Sequence, residues 1–219
     1  WLAAASSLAK SSEADAPHLV YIPEQTFDES KFLDAVSNIH KRLNRVFIVA
    51  CEGIRTEQGD FVGSGQMKET KDAFGHTLNT FTTGVAAFLS ELVSNNLGLR
   101  ARFLRPVIIG RAMSACISEV DRQEAYQVGQ EAIRQLASNQ TGLMVTLKRV
   151  SSSPYVCVPG VVPLEQVANA EKLLPQDYFD ETLNLPNEKF KAYARPLVGE
   201  AWQPAARLMK KRVHPQLPA

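Results

Sequence analysis

Two charged side chains directly follow apolar runs and could together form a binding site. Glu52 ends the run RVFIVAC (45–51), and Arg111 ends the run RARFLRPVIIG (100–110). If both runs are parallel strands, these side chains lie at the same carboxyl-terminal edge of a sheet. A carboxylate accepts hydrogen bonds from hydroxyls and an arginine fork matches phosphate oxygens, so the pair suits a polyol phosphate. Spacing alone leaves open the alternative that the two side chains pair with each other or with loop amides.

Other polar or reactive side chains carry weaker signals. Lys148 and Arg149, near the end of GLMVTLKRV, could contact a phosphate or only solvate the end of a strand. His76 has no positioned partner of the kind that proton transfer needs, so a helix-entry role is favoured. His18 lies in an apolar run and is expected to be a satisfied core imidazole. Cys116 has no histidine paired with it, which favours a small buried apolar role over that of a nucleophile.

Apolar runs alternate with helical periodicity along the chain. This alternation predicts an α/β fold of mostly parallel sheets with flanking helices. The predicted strands cover 16–22, 45–51, 100–110 and 142–150. Residues 55–80 contain several glycines among polar neighbours and are predicted to form an exposed loop or flap. The proline-rich tail from Pro154 is predicted to wrap around the domain, with one helix near 202–211.

Two helix starts have the spacing of a capping box. Thr26 precedes Glu29 by three residues, and Ser118 precedes Asp121 by three residues. The helix after Ser118 is predicted to direct one apolar face inward. The residues of that face are Ala125, Val128, Ala132, Ile133 and Leu136.

The composition excludes several classes of function. Among 219 residues, 24 Lys+Arg against 23 Asp+Glu give a formal charge of +1, which offers no general attraction for nucleic acid or an anionic membrane. No apolar run reaches the roughly 18 residues of a spanning helix, so a cytoplasmic protein is expected. Three widely spaced cysteines without a CxxC argue against disulfides and structural zinc. The chain opens with helical spacing at Trp1, so we expect it to be the C-terminal part of a longer protein.

Several segments, taken in order, resemble a known family. They are WLAAASSLAK, DAPHLVYIPE, VACEGI with the later Gly59, DAFGH, SEVDRQEAYQVGQEAI, GLMVTLKR and FKAYARPLVG. This series resembles the C-terminal half of the 6-phosphofructokinases, closest to their pyrophosphate-dependent branch, over nearly the whole chain. The resemblance implies a phosphofructokinase-like fold whose N-terminal part is missing. Residues 1–110 would form an incomplete sugar-phosphate-binding lobe, and 111–219 would return to the donor-binding lobe and end as a wrapping tail.

The resemblance also implies roles for individual residues. Glu52 matches the family's glutamate that hydrogen-bonds the sugar hydroxyls of fructose 6-phosphate. Arg111 matches the arginine that ends the family's sugar-phosphate tetrapeptide, which usually begins with an aromatic residue or histidine. Here Ile108 holds that first position and cannot make the hydrogen bond. Tyr193 and Arg195 lie in a recurring family segment that is expected to pack, with lining of a ligand pocket as the alternative.

Arg102 matches an arginine that reaches the 6-phosphate, in this family often from a neighbouring subunit. Arg100 and Arg105 are close enough to be misaligned substitutes for it. Along an extended strand, the nine residues from Arg102 to Arg111 would span roughly 30 Å at about 3.3 Å each. A straight strand therefore predicts that one of the two serves a neighbouring subunit's site, in a homodimer or homotetramer. A sharp bend at Pro106 would instead return both to one site.

The activity that the resemblance implies is reversible phosphoryl transfer from pyrophosphate to the 1-hydroxyl of fructose 6-phosphate, giving fructose 1,6-bisphosphate in glycolysis. The glycine-rich phosphate loop and the catalytic base of this family are expected upstream of Trp1. Mg²⁺ would be bound mainly by that missing part and the phosphates, so these residues alone are not expected to catalyse. Two alternatives stay open. One is an ATP-dependent enzyme, and the other, which Ile108 favours, is a non-catalytic sugar-phosphate-binding or regulatory subunit.

Overall fold

The computed structural model describes residues 1–63, 84–107 and 112–199, together with the backbone of 67–71 and 77–81. The helices are α1 (Leu2–Ala5), α2 (Glu29–Leu43), α3 (Gly84–Leu97), α4 (Glu119–Ala137), α5 (Leu164–Val167) and α6 (Glu188–Val198). The strands are β1 (Leu19–Tyr21), β2 (Thr26–Phe27), β3 (Ile48–Ala50), β4 (Arg55–Thr56), β5 (Met67–Lys71), β6 (Thr77–Phe81), β7 (Leu143–Ser152), β8 (Tyr155–Pro163), β9 (Phe179–Asp180) and β10 (Leu185–Pro186). Within these ranges no helix is both long and apolar enough to cross a membrane.

A parallel pair of short strands lies at the centre of the fold. β1 and β3 pair in register, with Leu19 opposite Ile48 and Tyr21 opposite Ala50. Two of the predicted strands are thereby confirmed, although each is shorter than its apolar run. Successive side chains of a strand point to opposite faces, so the apolar residues of β1 enter two different cores.

The first core lies between the central strands and helices α2 and α3. Its helical residues include Phe32 and Val36 from α2 and Leu89 from α3. Phe32 is fully buried, and its ring centroid lies 5.5 Å from those of both Tyr21 and Phe27. Helices α2 and α3 thus each direct apolar side chains into this core.

The second core lies on the other side of β1. Val20 and Ile22 pack there with Phe179 of β9 and Phe190 of α6. Asn184 closes the free edge of β1, because its backbone carbonyl accepts from the Val20 N–H at 2.9 Å and its side-chain amide donates to the Val20 carbonyl at 3.0 Å. The segment predicted to wrap around the domain thus supplies core side chains.

The two helix starts predicted by capping-box spacing have different outcomes. Ser118 caps α4, since its hydroxyl accepts from the Asp121 N–H at 3.3 Å. The capping box predicted at Thr26 is wrong, because Asp28 is the residue that caps α2: its carboxylate accepts from the Lys31 N–H at 2.9 Å. Thr26 is instead in β2, where pairing with β4 holds its backbone extended.

The predicted loop over 55–80 contains regular structure. β5 and β6 form an antiparallel hairpin in register from Met67 opposite Phe81 to Lys71 opposite Thr77. The prediction of an exposed loop or flap did not include these strands, because the mostly polar sequences MKETK and TLNTF carry no apolar alternation that would indicate them. His76 lies outside the described residues.

The strand predicted at 100–110 is absent from its described part. Residues 98–106 form neither helix nor strand, and the backbone turns at Val107, whose φ is +44°. Pro106 has no N–H to offer a neighbouring strand, and the side chains of Phe103 and Leu104 are exposed. Residues 108–111, and with them Ile108 and Arg111, lie outside the described residues, as does the helix predicted near 202–211.

The strand predicted at 142–150 is confirmed as β7, but its partner is β8, which was not predicted. The two strands pair antiparallel, from Leu143 opposite Pro163 to Ser152 opposite Tyr155. The prolines of this stretch concealed β8. They lie at a turn and in a strand whose second edge has no neighbour among the described strands, where a missing N–H breaks no ladder.

The face of α4 predicted to point inward is largely exposed. Ile133 and Leu136 are 66% and 62% exposed, and Tyr126 on the same face is 68% exposed. Glu124 is the buried residue of this helix, so the face that packs against the β7–β8 hairpin is the more polar one. The inward-face prediction was wrong because helical periodicity identifies an apolar face without identifying what covers it.

Candidate functional site

The carboxyl ends of the two central strands form a tight corner that positions Glu52. The Cys51 N–H donates to the Tyr21 carbonyl at 2.9 Å, which extends the pairing one residue beyond β3. A Cβ placed on Gly53 would lie 3.3 Å from Cγ of Pro23, so a larger residue would crowd the end of β1. Glu52 therefore lies just after the partly buried strand β3, with its side chain 71% exposed.

Arg105 brings a positive charge to this carboxylate. Its Nη2 lies 3.4 Å from Oε1 of Glu52, and its side chain is 43% exposed. The guanidinium also lies over Gly84, the first residue of α3, because a Cβ placed there would be 3.5 Å from the Arg105 Cζ. Gly84 has φ +72°, a conformation that favours glycine.

The other sequence-predicted residues that the structure describes do not pair with Glu52. Arg102 is exposed in the segment that lacks a strand partner. Lys148 is exposed on β7, opposite Val158. Among the described residues, no hydrogen bond or ion pair joins either of them, or Tyr193 or Arg195, to Glu52.

The contacts of Tyr193 are packing contacts around an arginine. The Arg149 guanidinium lies 4.1 Å from the Tyr193 ring centroid and 4.8 Å from that of Tyr155, and its Nη1 donates to the Tyr193 carbonyl at 2.8 Å. The Tyr193 ring also lies 5.4 Å from the Trp1 ring. Arg149 thus ties the β7–β8 hairpin to α6, and its contact with a phosphate stays a prediction.

Arg195 lines an open cavity of about 370 Å³ beside α6. Its other walls include Glu188, Lys191 and Gly199. Lys191 donates to the Glu188 carboxylate at 2.7 Å, and this hydrogen bond, aided by the Arg195 charge, lowers the pKa of Glu188. The acidic wall makes the cavity less suited to a phosphate than a purely basic one would be.

A buried pair that sequence reasoning missed lies between α4 and β8. The Tyr155 hydroxyl donates to the carboxylate of Glu124, a residue that is only 7% exposed. Burial, together with this carboxylate, raises the pKa of Tyr155 well above its ordinary value. The apolar periodicity of α4 gave no signal for it, since the pair depends on a contact across 31 residues.

His18 lies at the opposite end of β1 from Glu52. Its Nδ1 accepts from the Phe47 N–H at 2.9 Å, and its own backbone N–H donates to the Phe47 carbonyl at 2.8 Å. Burial lowers the pKa of this imidazole. The expectation of a core histidine is confirmed for Nδ1, whereas the buried Nε2 has no hydrogen-bond partner within the part of the chain that the structure describes.

No group of three or more His, Cys, Asp or Glu side chains that could hold a metal occurs in the described ranges. The three cysteines, Cys51, Cys116 and Cys157, are free thiols. Cys116 is exposed, contrary to the expectation of a buried one.

The chain is similar to pyrophosphate-dependent phosphofructokinases. The pyrophosphate–fructose 6-phosphate 1-phosphotransferase of Halomonas elongata is 34% identical over 226 residues, covering 100% of this chain and 52% of the relative. The enzyme of the same name from Xanthomonas campestris is 33% identical over 202 residues, covering 92% of this chain and 47% of the relative. No family model matches the chain.

A solved structure gives the same result for the fold. The pyrophosphate-dependent phosphofructokinase of Marinobacter aquaeolei superposes with a TM-score of 0.75 at 26% identity, over 100% of this chain and 53% of that one. The chain thus has a phosphofructokinase-like α/β fold and spans about half the length of the relatives it matches, corresponding to their C-terminal half.

Proposed function

This chain is homologous to the C-terminal half of the pyrophosphate-dependent phosphofructokinases, and we propose that it forms the sugar-phosphate side of such an enzyme. The intact enzyme would transfer a phosphoryl group from pyrophosphate to the 1-hydroxyl of fructose 6-phosphate, reversibly, as a step of glycolysis in the cytoplasm. The names of the relatives support the donor and the acceptor. Within the chain, the position of Glu52 carries the proposal.

Glu52 has the position that a sugar-binding carboxylate requires. It lies at the carboxyl end of a parallel strand, where ligands bind in α/β folds. Its neighbours on both sides are fixed by backbone pairing and by the close approach of Gly53 to Pro23. An exposed carboxylate on a rigid corner can accept hydrogen bonds from two hydroxyls without first reorganising. We therefore assign Glu52 to the hydroxyls of the sugar.

The phosphate end of the sugar is assigned to arginines. In the proposal Arg111 binds the 6-phosphate, Ile108 contacts the sugar phosphate only through apolar packing, and Arg102 is a further phosphate ligand. The turn at Val107 removes the straight strand on which sharing of Arg102 between subunits was predicted. Assembly as a homodimer or homotetramer is supported instead by the exposed apolar side chains of Phe103 and Leu104 beside Arg102.

Magnesium belongs to the donor side of the proposed reaction. The described residues provide no cluster of metal ligands, and the carboxylate of Glu52 is paired with an arginine. These residues therefore do not fit a magnesium site, and we derive no step through the metal here. Magnesium would be held by the phosphates and by the half of the enzyme that this chain does not match.

We also propose that the second part of the chain, 111–219, packs against that other half. The β7–β8 hairpin exposes apolar side chains on both faces, with Leu147 and Val161 on one and Met144 and Val158 on the other. A two-stranded hairpin of this kind is only marginally stable by itself, so we expect another element to cover its apolar side chains. The exposed apolar face of α4 supports the same arrangement.

Replacing Glu52 tests the proposal. In the intact enzyme, Glu52→Gln removes the charge and one acceptor, and should raise KM for fructose 6-phosphate by about tenfold or more, as expected for charged hydrogen bonds. KM for pyrophosphate should stay within about twofold of its original value. Glu57→Gln is the matched control, because Glu57 is an exposed glutamate in the adjacent turn.

Equal losses for both substrates would show that Glu52 has a structural role and would remove the basis of the assignment. ATP in place of pyrophosphate, tested in the same assay, decides the donor. Turnover with ATP alone would replace the pyrophosphate-dependent reaction by an ATP-dependent one.

A further inference from the structure

The basic residue that approaches Glu52 differs from the one that family resemblance assigns to the substrate. Three arginines, at 100, 102 and 105, lie in the segment after α3. Among the described residues, only Arg105 of these three forms an ion pair with Glu52, at 3.4 Å. This pair joins two segments 53 residues apart, so it reflects the tertiary fold and not local sequence.

The surroundings of Arg105 hold its guanidinium in place. Pro106 restricts the backbone of the preceding residue to extended conformations, which limits the directions that the Arg105 side chain can take. On the other side, Leu99 and Ala101 pack against the first core and anchor the segment. The guanidinium lies beside Gly84, where a Cβ would be 3.6 Å from Nη1, an ordinary van der Waals distance, so the start of α3 borders it on one side.

The ion pair is suited to orienting Glu52 and contributes little to stability. Exposed pairs of this kind are screened by water and contribute little to folding. The contact reaches one carboxylate oxygen, Oε1, and leaves Oε2 available to accept a hydroxyl. A guanidinium that contacts Oε1 thus limits the rotation of a carboxylate that is otherwise mostly exposed.

We propose that Arg105 is a positioning residue that orients the Glu52 carboxylate toward the hydroxyls of the acceptor sugar. This inference rests on the proposed function and deepens it, since it makes acceptor specificity depend on the segment after α3. Arg105 acts through Glu52, so removing it has a consequence only while Glu52 is present.

A double-mutant cycle in the intact enzyme tests this dependence. Arg105→Ala should raise KM for fructose 6-phosphate by about 3- to 30-fold, which lies within the range of coupling between residues in contact, with KM for pyrophosphate unchanged. Arg105→Lys, which keeps a charge without the planar fork, should recover part of the loss. In a Glu52→Gln background, Arg105→Ala should have no further effect. Arg134→Ala is the control, because Arg134 forms a similar exposed ion pair with Glu131, at 3.0 Å, on α4.

The outcomes separate the inference from the proposed function. Additive effects of the two substitutions would overturn the inference, because they would mean that Arg105 binds the substrate phosphate itself. A normal KM in Arg105→Ala, with the expected loss in Glu52→Gln, would overturn it alone. A normal KM in Glu52→Gln would overturn the proposed function. If Arg105→Ala fails to fold, Arg105→Gln keeps the length of the side chain and enters the same cycle.

Discussion

Replacing Arg149 with alanine should destabilise the contact between the β7–β8 hairpin and α6. The guanidinium lies between two aromatic rings, 4.1 Å from Tyr193 and 4.8 Å from Tyr155, and donates to the Tyr193 carbonyl at 2.8 Å. Each cation–π contact of a partly exposed arginine contributes about 0.5–1 kcal/mol, and the charged hydrogen bond about 1.5–3 kcal/mol. Because these contributions overlap, we expect a loss of about 2–4 kcal/mol in the free energy of unfolding. Arg149→Lys should lose about half of this, since it keeps a charge near the rings without the planar fork.

Equilibrium unfolding in denaturant, with the midpoint compared at constant m-value, measures this loss. Thermal unfolding gives a second reading, because 1 kcal/mol corresponds to about 2–4 °C for a chain of this size. Lys148→Ala is the matched control: Lys148 is the preceding basic residue, is exposed, and should change stability by less than about 0.5 kcal/mol. Equal small effects of the two substitutions would refute the reasoning, since both residues would then only solvate the strand.

Two further predictions concern the cap of α2 and the buried histidine. Asp28→Ala should lower the free energy of unfolding by about 1 kcal/mol, because it removes the acceptor for the Lys31 N–H. Thr26→Ala should change it by less than about 0.5 kcal/mol. If denaturant unfolding shows the larger loss for Thr26→Ala, Thr26 and not Asp28 caps the helix. Burial lowers the pKa of His18, so the unfolded chain binds its proton more readily, and stability should be complete above about pH 6.5 and fall as the pH drops below it. His18→Asn can still accept from the Phe47 N–H but does not titrate, so the free energy of unfolding should decrease less between about pH 7 and pH 5 than in the original chain. An unchanged decrease would mean that other groups cause the pH dependence.

The elements that could be predicted from the sequence are those with an apolar pattern inside the segment itself and with other elements of the chain covering their apolar side chains. Three residues of RVFIVAC form β3, because the run is apolar on both faces and Ile48 and Val49 each pack against one of the two cores. Phe32 and Val36 of α2 are four residues apart, one helical turn, and both are buried in the first core. The segment 100–107 also carries apolar residues, but it contains three arginines and Pro106 and no described strand lies beside it, so the apolar residues alone predicted a strand that these described residues do not form.

Glu52 was predictable because a single rule, that polar residues at strand ends face the ligand crevice, needs only the end of β3. Arg105 was not identified in the same way, because its importance arises from Gly84 and from a carboxylate 53 residues away. The pair of Glu124 and Tyr155 was missed for a similar reason, since a buried carboxylate in an amphipathic helix has no periodic signature.

The two parts of the chain differ in how completely their apolar surfaces are covered, and this difference matches the proposed division of the reaction. Around Glu52, the core is closed: Phe32 and Ile54 are fully buried, and the carboxylate lies on a rigid corner. Around the β7–β8 hairpin, apolar side chains are exposed on both faces, and the candidate phosphate ligand Arg149 is occupied by two tyrosines. A closed core is what a preorganised sugar site needs, whereas an uncovered hairpin is what a surface for a second half of the enzyme needs. The geometry therefore fits the proposal that this chain binds the acceptor sugar, while the donor and its metal are proposed to be held by the half that the chain does not match.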